Sequence, residues 1–348
     1  MHFLKYKVHT GQVLYASKQS RIWSVHLTRG RVSSQNAMMN VFIGMFISLL
    51  SVCGLADSWE APAGFKQRPV WPEGSSVLAA GVKKLEDKQI LSRDPITDVS
   101  KPTYTVFRPK RNPSGTALIV FPGGGYLTLA MKVEGTDVCD WLTNVGVTCV
   151  LLKYRVPYSG CYWDSKRKRH VTPEVPMALQ DAQRTISIIR HDAEKYEINP
   201  NKIGVIGFSA GGNMAALVST AFKKRSYEPI DEIDLISSRP DFSLLLFPGH
   251  MTMEHKNKTP KDVAAKELNT DIVISKDIPP TLLLHAQDDK VDPVYYSEIY
   301  ARELRKAGVK VKLVKYKTGG HVFVSKTGMD SDRWKEDVLS WLKAAKTL

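Results

Sequence analysis

Ser209 stands between two glycines in Gly207-Phe208-Ser209-Ala210-Gly211, the first stretch of the sequence in which a reaction can be read. A serine hydroxyl becomes a useful nucleophile when a base takes its proton, and the base works best when an acid holds it in one tautomer. Before Ser209 lies the apolar, β-branched run Ile203-Gly204-Val205-Ile206; after it, Met214-Ala215-Ala216-Leu217-Val218 has the composition of a helix. A strand that turns sharply into a helix through Gly-x-Ser-x-Gly is the context such a nucleophile requires. In so tight a corner a side chain at 207 or 211 would collide with its neighbours, and glycine also tolerates the unusual backbone angles. The bland alternative is a glycine-rich connection with no chemistry. The rest of the chain decides between them.

The partners follow in the order acid, then histidine. Three acids compete in Gln287-Asp288-Asp289-Lys290-Val291-Asp292-Pro293. Asp289 is the expected orienting acid, Asp288 supports the turn, and Asp292, just before Pro293, is expected to cap the next helix. His321, after Gly319-Gly320, is the expected base. His285 ends a strand and reads as structural, while His250, after Pro248-Gly249, is a cleft candidate that precedes the acid. Acyl transfer also needs donors aimed at the developing oxyanion. Pro122-Gly123-Gly124-Gly125-Tyr126 directly follows an apolar run, and residues without side chains let backbone N–H groups approach a substrate. The rival reading, a phosphate loop, lacks both the Lys-Ser/Thr that should follow and Gly-x-Gly-x-x-Gly. The cysteines have no metal-type spacing, and neither a metal nor a cofactor is expected.

These residues need elements to position them. Apolar runs predict strands at 104–107, 117–121, 147–152, 203–208, 242–247 and 281–286, with an alternating, half-exposed strand at 309–316. Helical spacing predicts helices at 135–144, 174–196, 260–268, 293–307 and 333–345. Strands without alternation are covered on both faces. The pattern predicts the α/β class, a mainly parallel sheet flanked by helices, with ligands at the carboxyl ends of its strands. Each distinctive cluster falls just after a predicted strand.

With those signposts in hand, the chain resembles the α/β-hydrolase superfamily of serine esterases. Within it the likeness is to bacterial acetylxylan-esterase-like, hormone-sensitive-lipase-like enzymes, sometimes labelled xylanase. The motifs that carry it are Phe121-Pro122-Gly123-Gly124-Gly125-Tyr126, Gly207-Phe208-Ser209-Ala210-Gly211-Gly212, the Asp289 segment and Gly319-Gly320-His321, over about residues 103–346. The resemblance implies a single α/β-hydrolase domain at 103–348, a triad of Ser209, Asp289 and His321, and oxyanion donors at Gly124, Gly125 and Ala210. Pro122 departs from the pattern, since lipase-like relatives carry His before the three glycines. Lys153-Tyr154-Arg155-Val156-Pro157 and the helix at 179–184 look like the exported carbohydrate-esterase branch, which implies short acyl groups, acetyl foremost, on a carbohydrate such as xylan. Tyr126, Tyr162 and Trp163 are the aromatic candidates for contact with a sugar ring. Glycosidase chemistry is not expected, because it needs two opposed carboxylates at the anomeric carbon. Two alternatives stay open: a peptidase of the prolyl-oligopeptidase type, whose usual large N-terminal domain residues 57–102 are too few to supply, and a non-catalytic binding protein of the same fold.

Composition bounds the rest. Of 348 residues, 43% are hydrophobic and 24% charged, as in soluble globular proteins. Six of the fourteen net positive charges lie in residues 1–56, which contain no acid. Within that extension, 41–56 is apolar and uncharged, ending in Gly54-Leu55-Ala56 before Asp57. This is a signal-like segment, short for a membrane span, and it predicts a secreted or periplasmic protein without stable membrane insertion. Met38 and Met39 are alternative starts, and an uncleaved anchor is the alternative location. Residues 57–102 are expected to be an irregular mature N-terminus. The run Lys166-Arg167-Lys168-Arg169-His170 reads as a solvated loop, with no nucleic-acid signature beside it. Cys139, Cys149 and Cys161 permit one disulfide at most, and Cys149, in a strand, is expected as a buried thiol.

Overall fold

The computed structural model describes residues 59–79, 95–97, 99–156, 177–252 and 267–348, together with the backbone of several short strands outside them. The signal-like segment 41–56, Met38 and Met39, and residues 260–266 of the predicted helix lie outside the described residues. Two compact units are present, Met1–Leu55 and Ala56–Leu348. In the first, Leu4–Lys7, Val13–Gln19 and Ile22–His26 pair as an antiparallel meander.

The second unit is built on eight strands: β1 (Gln67–Pro69), β2 (Thr103–Phe107), β3 (Ala117–Phe121), β4 (Thr148–Lys153), β5 (Ile203–Phe208), β6 (Ser243–Leu246), β7 (Thr281–Ala286) and β8 (Val311–Tyr316). Their order across the sheet is β8-β7-β6-β5-β3-β4-β2-β1. The pairs from β4 through β8 are parallel, whereas β2 runs antiparallel to both β4 and β1. Every residue of β3, β4, β5, β6 and β7 is buried, as mainly apolar strands without alternation imply. Edge strand β8 instead exposes Lys312 and Lys315, charges that discourage further strand pairing. The helices are α1 (Asp137–Asn144), α2 (Met177–His191), α3 (Ala210–Thr220), α4 (Tyr295–Lys306) and α5 (Trp334–Ala344).

The register sets where chemistry can occur. Gly207 near the end of β5 lies opposite Phe121 at the end of β3, and Phe208 lies opposite Leu246 at the end of β6. The loops after these strands therefore leave the sheet side by side. From β3 the chain goes to β4 on one side, and from β5 to β6 on the other. The crevice between β3 and β5 is thus the switch point at which open α/β sheets hold ligands.

Two expectations are corrected. Residues 57–102 are not irregular throughout, because β1 extends the sheet and Trp71 donates from Nε1 to the buried carboxylate of Asp181 on α2 (2.6 Å). That carboxylate also accepts from the Arg155 backbone N–H (2.9 Å) and Nε (3.0 Å), so one charged knot ties the segment, β4 and α2 together. Cys149 is not a thiol. It is joined to Cys139 across ten residues, linking α1 to β4 with both sulfurs' residues fully buried.

Candidate active site

Ser209 joins β5 to α3 at the helix cap position with φ 51° and ψ −117°, a conformation that non-glycine residues rarely hold. Its N–H donates to Leu246 O and its C=O accepts from Gly249 N–H, both at 3.0 Å, so β6 and the loop after it keep the corner in place. A Cβ on Gly207 would overlap the carbonyl of Gly211, and one on Gly211 the carbonyl of Phe121. The glycines are therefore a packing requirement of the corner that presents Ser209 Oγ.

His321 Nε2 lies 2.9 Å from Ser209 Oγ, and its Nδ1 lies 2.7 Å from Asp289 Oδ2. An ionised carboxylate only accepts, so Nδ1–H donates to Asp289, leaving Nε2 to accept the serine proton. Asp289 Oδ1 accepts from the N–H groups of Val291 (2.8 Å) and Asp292 (3.0 Å), which fixes the carboxylate within its own turn. Asp288 takes the supporting part expected of it: Oδ1 accepts from Gly320 N–H at 2.7 Å and ties the acid's turn to the histidine's loop. Phe247 packs edge-on against the His321 ring at 5.0 Å. The structure thus brings Ser209, His321 and Asp289 into one hydrogen-bonded line.

The electrostatics follow from this geometry. Burial alone would push the Asp289 carboxyl up, but hydrogen bonds from His285 and His321 hold it well below the usual carboxylate range. Burial pulls His321 down, yet the bond to Asp289 and the charges of Asp292, Asp289 and Glu134 raise it above its ordinary value. His285 is structural, as expected: Nε2 donates to Asp292 O (2.8 Å), and Nδ1 accepts from the Ser297 hydroxyl (2.8 Å).

The glycine loop after β3 borders the same cleft, of about 340 Å³, lined by Gly123, Gly124, Gly125, Glu134, Ser209, His250, Asp292 and His321 among others. Gly124 (φ 137°) and Gly125 (φ 63°) hold left-handed angles, and a Cβ on Gly124 would overlap the carbonyl of Thr128. Tyr154 donates to Pro122 O (2.5 Å), and Gly123 N–H donates to Glu134 Oε2 (2.7 Å). Gly123 is thereby spoken for. Among the described residues, the N–H groups of Gly124 and Gly125 donate to no protein acceptor, and Ala210 opens α3, whose N-terminal dipole favours negative charge. His250 lines the cleft, as its position suggested.

Not every expected contact is in place. Tyr126 is fully buried, its hydroxyl donating to Asn213 Oδ1 (2.8 Å) and its ring packed beside Tyr154 and His250. A φ of 57° folds it inward as a strut for the glycine loop, not a sugar platform. Tyr162 and Trp163 lie on the short strand Tyr162–Asp164, whose side chains are outside the described residues.

Asp292 does not cap α4, whose cap position is Val294. Its carboxylate turns into the cleft instead, Oδ2 lying 3.5 Å from Ser209 Oγ and 3.8 Å from His321 Nε2. Burial pushes this carboxyl up to about 6 against the pull of His321. Asp292 and Glu134 are the two acidic cleft residues that the sequence pattern missed. Asp292 announces itself only by following Asp289 in one acidic turn, and Glu134 carries no local signal at all.

Two family models match the chain: BD-FAE over residues 106–243 and the prolyl oligopeptidase family over residues 178–347. An acetylxylan esterase of Xylanibacter ruminicola is 31% identical over 265 residues, covering 72% of this chain and 49% of that protein. Endo-1,4-beta-xylanase B of Butyrivibrio fibrisolvens is 26% identical over 216 residues, covering 59% and 32%. The chain therefore spans half or less of the length of these two relatives. The crystal structure of an acetyl ester-xyloside bifunctional hydrolase from Caldicellulosiruptor lactoaceticus superposes with a TM-score of 0.61 at 26% identity, covering 85% of this chain and 99% of that one.

Proposed function

We propose that this chain, which has the α/β-hydrolase fold, is a serine carboxylic-ester hydrolase that removes short acyl groups, acetyl foremost, from a carbohydrate outside the cytoplasm. The observation that carries the reading is the line Asp289–His321–Ser209 at the mouth of the crevice, beside a glycine loop. Ser209 Oγ attacks the ester carbonyl as its proton passes to His321 Nε2, and Asp289 steadies the imidazolium. The oxyanion is received by N–H groups of Gly124, Gly125 and Ala210. His321 then hands its proton to the departing alcohol, leaving an acyl group on Ser209, and water repeats the sequence in reverse roles. Support for acetyl and for carbohydrate comes from the acetylxylan esterase relative and the small cleft; support for export comes from the signal-like segment 41–56.

A panel of 4-nitrophenyl acetate, butyrate and octanoate beside acetylated xylan tests this. Acetate release from both acetyl substrates, abolished by Ser209→Ala, is the expected result, and a preference for octanoate would defeat the short-acyl claim. Reducing ends released from deacetylated xylan by pure Ser209→Ala protein would reveal a glycosidase instead. The prolyl oligopeptidase match keeps a peptidase as the second reading, and faster cleavage of peptidyl anilides than of acetate esters would favour it.

A further inference from the structure

A carboxylate outside the Asp289–His321–Ser209 line stands beside it. Asp292 is 7% exposed and faces the cleft, and among the described residues no lysine or arginine pairs with it. Room is kept for it by Gly249, where a Cβ would lie 2.6 Å from Asp292 Oδ2. Its backbone is anchored from behind by His285, itself fixed by Ser297. Holding an anion out of water without a matched cation lowers stability. Among the described residues the Asp292 carboxylate accepts one long hydrogen bond, to Oδ2 from the Ser209 hydroxyl at 3.5 Å, and that hydroxyl also meets His321 Nε2. A buried carboxylate aimed at the reacting atoms thus keeps acceptor capacity for a donor that arrives with the substrate.

The position of Asp292 says which part of the substrate brings that donor. His321 Nε2 must pass its proton to the leaving alcohol, so the alcohol oxygen sits against Nε2. A carboxylate oxygen 3.8 Å from Nε2 borders the alcohol half of the ester. A hydroxyl on the neighbouring carbon is one gauche step from the ester oxygen, which brings it within reach of Oδ2.

We propose that Asp292 is a specificity residue that accepts a hydrogen bond from a hydroxyl vicinal to the acylated oxygen, so that the site selects esters of vicinal diols, such as partly acylated sugars, over esters of simple alcohols. This rests on the ester-hydrolase reading above. A hydrogen bond to a charged acceptor is worth a discrimination of about 10- to 100-fold in kcat/KM.

The test compares methyl 2-O-acetyl-β-xyloside, which keeps a free 3-hydroxyl, with its 3-deoxy counterpart, using wild type, Asp292→Asn and Asp292→Ala. Wild type should favour the hydroxylated ester by about 10- to 100-fold in kcat/KM. Asp292→Ala should bring that ratio to within about twofold of unity, and Asp292→Asn, which preserves the volume, should fall between. A wild-type ratio near one overturns the proposal whatever the variants do, as does a wild-type preference that survives in Asp292→Asn. Wild type that hydrolyses neither xyloside ester nor 4-nitrophenyl acetate fails at the ester-hydrolase reading, a different outcome from an active enzyme with no preference.

Discussion

Glu134 offers the sharpest perturbation of the oxyanion loop. It is 2% exposed, and Oε2 accepts the Gly123 N–H at 2.7 Å, one step before the two cleft-lining glycines proposed as oxyanion donors. Glu134→Ala leaves that N–H buried without its acceptor, at about 1–3 kcal/mol. For a domain of this size that is a fall in Tm of roughly 2–10 °C. The rate should suffer more than the fold. Loss of one oxyanion donor costs about 10²–10³ in kcat, and a loop freed at Gly123 misplaces both glycine donors. Because the oxyanion exists only after attack, the loss should appear in kcat with KM little changed. Glu134→Gln keeps an acceptor oxygen and should stay within about tenfold of wild type. Steady-state rates on 4-nitrophenyl acetate with parallel thermal melts measure all three. A wild-type kcat in Glu134→Ala, or an equal collapse in Glu134→Gln, would refute the positioning argument.

Other perturbations separate the parts of the site. Asp289→Asn removes the acceptor that fixes the His321 tautomer and should lower kcat by about 10⁴, while a loss below tenfold would place the orienting role elsewhere. Hydrolysis needs neutral His321, whose pKa is raised by its partners, so kcat/KM should fall on acidification with a midpoint above 6.5, the ordinary histidine value. Asp292→Asn removes an anion that stabilises the imidazolium, so a pH–rate profile should show that midpoint move to lower pH; a move upward would contradict the charge assignment. Cys139→Ala with Cys149→Ala opens a ten-residue link, worth about 2–3 kcal/mol on the chain-entropy model, and calorimetry should show a lower Tm with kcat unchanged.

What was legible in the sequence was whatever a local pattern encodes. Apolar runs locate β3, β5 and β7 to the residue, because burial on both faces keeps their interiors apolar and alternation absent. The Gly207–Gly211 spacing is equally direct, since backbone oxygens occupy the space a side chain would need. Asp292 was missed because a residue before proline reads as a cap, whereas here the turn is dictated by two N–H groups binding Asp289. Tyr126 read as an exposed loop aromatic because the left-handed angle that turns it inward has no signature in a non-glycine residue. Three-residue β1, ending in proline, is too short to show alternation. Glu134 is chosen by a contact across the loop, to Gly123, and no spacing on its own element foretells that.

Every step proposed above depends on Ser209 as the activated nucleophile. The most direct measurement is reaction with a fluorophosphonate probe, followed by peptide mass spectrometry of wild type and Ser209→Ala. A single adduct on the Ser209 peptide, absent from the variant together with all acetate-ester hydrolysis, is the predicted result. An adduct on another residue, or wild-type hydrolysis by folded Ser209→Ala, would contradict it.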